Sequence, residues 1–291
     1  MSTHPAPIVI GYDGSPGSQS ALRWAAAEAA RELAPLQIVE AFELVIVTRP
    51  SPGQVVPLES VRIGRQEGLE AVAANLREQH PDLRVETSLV GGAAAKVLID
   101  EAANARLVVL GSRGLGGWSG LLVGSVAVQV TTHAQCPVVV IPHDLRIHAH
   151  EGLTVLVGVD GSKASAKAID FAFDQAEELG AKVVAVHAST SPILTFAAGE
   201  SMLEFDEKQI EDEGRLLVAE SVAGAAADHP DVEWTTEVVI GSPARALLRM
   251  AESADLVVVG SRGHGGFTGL LLGSVSQSVL HHTSCAIAIV R

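Results

Sequence analysis

Residues 107–130 read LVVLGSRGLGGWSGLLVGSVAVQV, and residues 256–279 read LVVVGSRGHGGFTGLLLGSVSQSV. A second pair of related segments begins at Ile8, with IVIGYDGSPGSQSALRWAAAEA, and at Val155, with VLVGVDGSKASAKAIDFAFDQA. Related positions are 149 residues apart in the first pair and 147 in the second. One unit of about 150 residues therefore occurs twice, which indicates duplication of a whole domain rather than an array of short repeats.

Each copy alternates short apolar runs with amphipathic, alanine-rich stretches. Continuous β-branched runs are typical of strands that are buried on both faces of a parallel sheet. The sequence predicts an α/β fold of two tandem, doubly wound, Rossmann-like domains, each a five-stranded parallel sheet flanked by helices. Domain 1 is placed at residues 1–142 and domain 2 at residues 153–291, with a polar linker at 143–152.

The predicted elements have the following bounds. The strands of domain 1 are Ile8–Tyr12, Leu36–Phe42, Leu83–Val90, Leu107–Leu110 and Pro137–Ile141. Its helices are Ser18–Leu33, Glu59–His80, Ala93–Asn104 and Ser125–His133. The strands of domain 2 are Thr154–Val159, Lys182–His187, Val232–Ile240, Leu256–Val259 and Ala286–Val290. Such a sheet binds ligands at the carboxyl ends of its strands, where the strand order reverses.

Charge and composition narrow the classes of partner. The formal net charge of −14 argues against nucleic acid or an anionic membrane, since both need a positive field. No apolar run approaches the roughly 18 residues that span a bilayer, and the first residues lack a signal sequence, so we expect a cytoplasmic protein. Cys136 and Cys285 are too few for a disulfide scaffold; we interpret them as buried apolar side chains, with a redox pair as the alternative.

A glycine-rich loop follows the fourth strand of each copy. Gly111-Ser-Arg-Gly114 is followed by nine residues and Gly124-Ser125, and the same spacing recurs from Gly260. We expect these glycines to adopt positive φ and to bring backbone N–H groups close to a ligand at the start of the next helix. Ser125 or Ser274 could cap that helix and offer a hydroxyl group to phosphate. The alternative is a flexible loop that binds nothing.

Several side chains near these loops have two possible roles. Asp13 and Asp160 end the first strand of each copy and could form an Asx turn or helix cap, or accept hydrogen bonds from a ribose or adenine edge. Arg113 and Arg262 could reach a phosphate or point into solvent. His133 and His282 lie late in the last helix of each copy. A histidine there more often satisfies terminal carbonyl groups than it catalyses a reaction, so we interpret both residues as structural.

The aspartate after the first strand, with G-x-x-G, nine residues and G-S, resembles the ATP-binding branch of the universal stress protein family. Two such domains in one chain are similar to the tandem members of mycobacteria. The resemblance implies two ATP molecules per chain, with Mg²⁺ on the phosphates, and an unknown regulatory protein partner. No acidic cluster in the sequence identifies a dedicated metal site, and we expect a homodimer because twofold symmetry is the commonest form of assembly. The implied nucleotide-binding residues are Gly11, Asp13, Ala41, Leu110, Gly111, Gly114, Gly124, Ser125 and Val126 in domain 1, and Gly158, Asp160, Ala188, Val259, Gly260, Gly263, Gly273, Ser274 and Val275 in domain 2.

The resemblance implies a nucleotide-dependent regulator of stress response or growth rather than an enzyme. A P-loop needs Gly-Lys-Ser/Thr, and neither loop has that lysine, so we expect at most slow ATP hydrolysis. Two alternatives remain at this point: an enzyme of the adenine-nucleotide α-hydrolase group, and an interaction module of the same fold that binds no nucleotide.

Overall fold

The computed structural model describes residues 5–43, 58–115, 123–143, 152–189, 207–264 and 271–291. The chain divides into two compact units, Met1–Asp144 and Leu145–Arg291. Most of the predicted linker, residues 144–151, lies outside the described residues. Within the described ranges, no helix combines the length and the apolar content that crossing a membrane requires.

The first unit is an α/β domain built on five parallel strands. The strand order is β3-β2-β1-β4-β5, so the chain reverses its direction across the sheet between β1 and β4. Open α/β sheets bind ligands at this reversal. The elements are β1 Ile8–Gly11, α1 Pro16–Arg31, β2 Leu36–Phe42, α2 Leu58–Gln79, β3 Val85–Gly91, α3 Ala94–Glu101, β4 Leu107–Gly111, α4 Ser125–His133 and β5 Val138–Ile141.

The second unit repeats this architecture. Its strands are parallel in the order β8-β7-β6-β9-β10, which again places the reversal beside the first strand of the unit. The predicted pair of doubly wound domains is therefore confirmed. The elements are β6 Thr154–Gly158, α5 Lys163–Leu179, β7 Lys182–Ser189, α6 Glu207–Asp228, β8 Trp234–Ile240, α7 Pro243–Ala251, β9 Leu256–Gly260, α8 Ser274–His282 and β10 Ala286–Val290.

The start of α1 shows how local sequence fixes the helix that faces the sheet. Ser15 is the N-cap residue, its hydroxyl group accepts a hydrogen bond from the Ser18 N–H, and Pro16 occupies the first turn. A proline is tolerated there because its missing N–H would have no partner inside the helix. The helix therefore begins two residues before the predicted Ser18. Ser162 caps α5 in the same way.

Several other predicted bounds differ by a few residues at element ends. Helix α3 ends at Glu101 rather than at Asn104, because the N–H groups of Ala103 and Asn104 bond to carbonyl groups three residues back and form a turn. Strand β3 begins at Val85 rather than at Leu83, whose N–H donates to the carbonyl group of His80. Turns therefore replace regular structure where chain direction changes.

Candidate functional site

A cavity of about 590 Å³ lies at the carboxyl ends of β1, β2 and β4, where the strand order reverses. Its volume falls in the usual range of ligand pockets, about 300–1,000 Å³. The structure brings all nine residues predicted for domain 1 into the lining of this first cavity. They are Gly11, Asp13, Ala41, Leu110, Gly111, Gly114, Gly124, Ser125 and Val126.

A second cavity, of about 540 Å³, lies at the corresponding place in the second unit. Here too every predicted residue lines the cavity: Gly158, Asp160, Ala188, Val259, Gly260, Gly263, Gly273, Ser274 and Val275. Positions that are separated by about a hundred residues in sequence therefore meet at one edge of each sheet.

The carboxylate of Asp13 is held by hydrogen bonds from two segments. The Ser15 N–H donates to Oδ1 over 3.0 Å, which forms an Asx turn, and the Leu115 N–H donates to Oδ2 over 2.9 Å. Burial alone would raise the pKa of Asp13, but the hydrogen bonds with Ser15, Leu115 and Ser18 outweigh it and hold the pKa below 3.8. The Asx-turn interpretation is therefore confirmed, and the same side chain also lines the cavity.

Asp160 repeats this arrangement in the second unit. Its Oδ1 accepts the Ser162 N–H over 3.0 Å and its Oδ2 accepts the His264 N–H over 3.0 Å. In both units the carboxylate thus connects the turn after the first strand to the glycine loop after the fourth.

The helix that follows each loop begins with an uncapped turn at the cavity. The N-cap residues are Gly124 and Gly273, and no side chain caps either turn within the described residues. The prediction that Ser125 or Ser274 caps its helix is wrong, because each serine is the first helical residue. A cap must lie one residue earlier to reach the free N–H groups. The three residues of each first turn, 125–127 and 274–276, line the cavities.

The motif glycines do not have the backbone conformation that we expected. No glycine of the Gly111, Gly114 and Gly124 set, or of its counterpart in the second unit, has φ in the left-handed region. The positive φ values occur instead at Gly14 and Gly161, directly after the aspartates, at +80° and +78°. Our prediction of positive φ is therefore wrong for these described glycines. Close packing explains the first two glycines of each motif instead.

Close approach of the chain to itself explains Gly111. A Cβ atom there would lie 2.5 Å from the carbonyl carbon of Gly17 and 2.9 Å from the backbone nitrogen of Ser18. Backbone atoms cannot move aside as the end of a side chain can, so the loop and the start of α1 meet only if this residue has no side chain. Gly260 meets the backbone of Ala164 in the same way, at 2.8 Å.

The sequence model of the Universal stress protein family matches residues 6–142 and 153–291. The chain belongs to the universal stress protein family. A universal stress protein of Mycolicibacterium smegmatis is 37% identical over 289 residues, covering 98% of this chain and 96% of the relative. One from Mycobacterium tuberculosis is 37% identical over 298 residues with the same coverage. The match at nearly full length shows the tandem type and supports a stress-related role.

Solved structures show the same fold. The crystal structure of a universal stress protein from Archaeoglobus fulgidus is 21% identical, covers 98% of each chain and has a TM-score of 0.70. A crystal structure of a functionally unknown protein from Pseudomonas aeruginosa covers 98% of this chain and 92% of that chain, with 15% identity and a TM-score of 0.67.

Sequence reasoning missed cavity residues that lie outside any motif. In this universal stress protein, Arg65 of α2 and Leu98 of α3 line the first cavity, and His187 of β7 and Leu247 of α7 line the second. The helical residues face the cavity only because their helices pack beside the central strands. The amphipathic pattern predicts the buried face of a helix but not which of its turns borders a cavity.

The two loop arginines differ in exposure. Arg113 is half-buried, and its Nε atom is buried without a hydrogen-bond partner among the described residues. Arg262 is exposed. Both arginines line their cavities.

The histidines and cysteines outside the cavities have structural roles. His133 Nδ1 lies 2.9 Å from the carbonyl oxygen of Gln129, and His282 Nδ1 lies 2.8 Å from that of Ser278, as predicted for residues that satisfy terminal carbonyl groups. Cys136 and Cys285 are buried, and burial raises the pKa of each thiol to about 11. Thiols that remain protonated at neutral pH are poor nucleophiles, so the buried apolar interpretation is favoured over a redox role.

Proposed function

We propose that this universal stress protein binds two adenine nucleotides, ATP in the active form, one in each domain. One observation carries the proposal. In both domains, the aspartate, the glycine loop and an uncapped helix start line a single cavity at the reversal of the sheet. The stress-related role of the family gives this binding a regulatory purpose.

Each end of the first cavity suits a different part of the nucleotide. Val39, Leu98 and Leu110 provide apolar contact for a base, and the Asp13 carboxylate, which lines the same cavity, is an acceptor for ribose hydroxyl groups. The uncapped start of α4 offers N–H donors and the positive end of the helix dipole to phosphates. Local donors of this kind hold an anion even in a chain whose net charge is −14.

The same geometry favours holding ATP over hydrolysing it. Neither loop has the lysine of a P-loop, and the carboxylate in each cavity already accepts two backbone N–H groups rather than standing free as a base. Among the described residues, no cluster of three or more metal-ligating side chains lies in either cavity, so Mg²⁺ would be held through the phosphates. We expect turnover at or below about one per minute, against 1–10³ per second for typical enzymes.

Nucleotide occupancy is then a signal that alters assembly or the choice of a regulatory protein partner. A homodimer in the cytoplasm is part of the same proposal. Light scattering with and without ATP measures the assembly, and an unchanged monomer under both conditions would remove that part.

Stoichiometry is the first test of binding. Denaturing extraction of the purified protein followed by mass analysis, and calorimetric titration of the stripped protein with Mg-ATP, should both approach two nucleotides per chain. Absence of co-purified nucleotide together with absence of titratable binding would reject the proposal. Hydrolysis at ordinary enzymatic rates would favour the α-hydrolase alternative instead.

Gly124→Ala is the sharpest variant for the phosphate end of the first cavity. The added Cβ atom would have only ordinary contacts, 3.5 Å to the Ser112 carbonyl oxygen, so the domain should fold normally. A methyl group at the helix start should nevertheless displace a phosphate and weaken binding in domain 1 by about tenfold, or 1.4 kcal/mol. Gly68→Ala on α2, where a Cβ atom meets nothing within 4 Å, is the matched control. Equal affinity in the two variants would contradict the placement of the phosphates.

A further inference from the structure

Both oxygens of the Asp13 carboxylate are used inside the protein before any nucleotide arrives. Oδ1 accepts the N–H of Ser15 and Oδ2 accepts the N–H of Leu115, which lies 102 residues further along the chain. Asp160 makes the same pair of bonds, to Ser162 and to His264. The arrangement therefore occurs twice, on side chains that the duplication placed in different domains.

The second glycine of each motif fits closely against this carboxylate. A Cβ atom on Gly114 would lie 2.4 Å from Asp13 Oδ2, and one on Gly263 would lie 2.2 Å from Asp160 Oδ2. Apart from the Cγ atom of the same aspartate, no other described atom outside the adjacent residues comes within 4 Å. Neither glycine has positive φ, so the aspartate is the only obstacle to a side chain within the described structure.

The loop is also fixed at its far end. The Gly124 N–H donates to the Ser112 carbonyl oxygen over 2.7 Å, and the Gly273 N–H donates to that of Ser261 over 2.7 Å. The aspartate bond thus fixes the N–H group of Leu115 or His264, and this second bond fixes the start of the next helix. Ordering a loop before a ligand binds lowers the entropic cost of binding.

We propose that Asp13 and Asp160 are positioning residues that latch the glycine loops, and that Gly114 and Gly263 are glycines in order to admit these aspartates rather than the nucleotide. The importance of the latch for affinity depends on the proposed nucleotide binding. The latch itself does not, because it exists without a ligand.

Amide hydrogen exchange on the nucleotide-free protein tests the latch directly. Asp13→Ala should abolish protection of the Leu115 amide, and Asp160→Ala should abolish that of the His264 amide, each without affecting the other domain. Asp13→Asn, which keeps one carbonyl acceptor, serves if the alanine variant does not fold; it should lose protection at either Ser15 or Leu115. Unchanged exchange at Leu115 in Asp13→Ala, or at both Ser15 and Leu115 in Asp13→Asn, would overturn the proposal.

A double-mutant cycle tests the reason for the glycine. Gly114→Ala in the wild-type background should reduce ATP affinity in domain 1 by about tenfold, because the new methyl group displaces the carboxylate. In the Asp13→Ala background the same substitution should cost less than about twofold, since its obstacle is gone. An equal cost in both backgrounds would show that Gly114 serves the nucleotide itself and would overturn the proposed reason for this glycine.

Domain 2 supplies an internal replicate through Asp160→Ala, Gly263→Ala and their combination. Should the wild-type protein bind no ATP at all, the proposed function fails, whereas hydrogen exchange at Leu115 and His264 still decides whether the latch exists. The two failures are therefore distinguishable.

Discussion

The two cavities share their loop, aspartate and helix start but differ in the wall that the longest helix of each domain faces. In the first domain, Arg65 of α2 forms an ion pair with Glu40 of β2, at 2.5 Å between Nη1 and Oε1. The Glu40 side chain is 11% exposed. Burial, the Glu40 carboxylate and the Asp13 carboxylate, in that order, raise the pKa of the adjacent Tyr12 phenol. This wall is charged.

The corresponding wall of the second domain carries no such ion pair within the described residues. Gly214 occupies on α6 the place of Arg65, and His187 occupies on β7 that of Glu40. His187 Nδ1 lies 2.8 Å from the Val159 carbonyl oxygen and therefore carries a proton, while Nε2 lies 3.1 Å from Ser189 Oγ. A Cβ atom on Gly214 would come within 2.7 Å of Val238 Cγ1 and 3.1 Å of His187 Cδ2, so an arginine does not fit there.

The duplicated domains thus share one part of the cavity and differ in another. The parts that meet phosphate and ribose in the proposed complex are the same in both, down to the hydrogen-bond partners of the aspartate. The walls differ at several positions that contact one another, which is expected when a buried charge and its partner are exchanged together. The two cavities therefore share the residues proposed to bind phosphate and ribose and differ in the residues beside the longest helix.

The largest effect should come from the shared part, at the first motif glycine. Gly111→Ala places a methyl group against the backbone of Gly17 and should lower the free energy of unfolding of domain 1 by about 3 kcal/mol. Gly260→Ala meets slightly more room, at 2.8 Å rather than 2.5 Å from the nearest carbonyl carbon, and should cost domain 2 about 2 kcal/mol. Chemical denaturation followed by hydrogen exchange in each domain measures both.

Gly64→Ala on α2 and Gly224→Ala on α6 are matched controls for this pair. A Cβ atom at either position meets nothing within 4 Å, and alanine in a helix interior is favoured over glycine by about 0.5–1 kcal/mol. Both controls should stabilise the protein slightly. If Gly111→Ala left the free energy of unfolding unchanged, the loop and α1 would separate easily, and the packing explanation of the motif would be weakened.

This contrast between glycines marks the limit of what the sequence could predict. The buried β-branched run at Leu36–Phe42 and the helix at Ser125–His133 have the predicted bounds, because periodicity and local composition determine them. The motif residues that line both cavities were also predictable, since motif and strand ends coincide. The reasons why these positions are glycine could not be predicted. Gly111 and Gly114 are constrained by Gly17 and Asp13, which lie about a hundred residues away in the sequence. The residues of the two cavity walls could not be predicted either, because Arg65 and His187 belong to no motif.

Arg65→Ala tests the charged wall and should have the next largest effect. It leaves the mostly buried Glu40 carboxylate without its ion pair. Because Arg65 itself is half exposed and water can partly replace it, we expect a loss of about 1–2 kcal/mol in domain 1, below the value for a fully buried pair. Denaturant titration measures the loss, and domain 2 should be unaffected.

Arg62→Ala on the same helix is the control for Arg65→Ala. Arg62 pairs with Glu59, and both side chains are more than half exposed, so its removal should leave the stability of domain 1 nearly unchanged. Equal losses in the two variants would indicate that helix α2, and not the buried carboxylate, responds to the substitution.

A smaller difference should distinguish the histidines that follow the longest helices. His80 and His229 follow α2 and α6 in the same kind of turn. Among the described residues, His229 contacts two carboxylates, Asp174 at 3.3 Å and Glu177 at 3.0 Å, whereas His80 contacts none. His229→Gln should cost domain 2 about 0.5–1 kcal/mol, given that both carboxylates are more than half exposed. His80→Gln should cost domain 1 only a few tenths. Equal costs would assign the effect to the turn itself.

The smallest effect should be the pH dependence that Asp13 contributes to domain 1. Its pKa in the folded protein is held below 3.8, so the unfolded chain takes up a proton first as the solution is acidified. The stabilisation is therefore complete above about pH 5 and is lost as the pH falls through the ordinary pKa of aspartate, about 3.9, and below it. The difference in urea midpoint between wild type and Asp13→Asn should be present at pH 6 and shrink towards pH 3. Asp82→Asn, an exposed residue in the turn before β3, should show little difference at either pH. A difference for Asp13→Asn that stays constant across this range would mean that its carboxylate charge adds nothing to the latch, which would then rest on geometry alone.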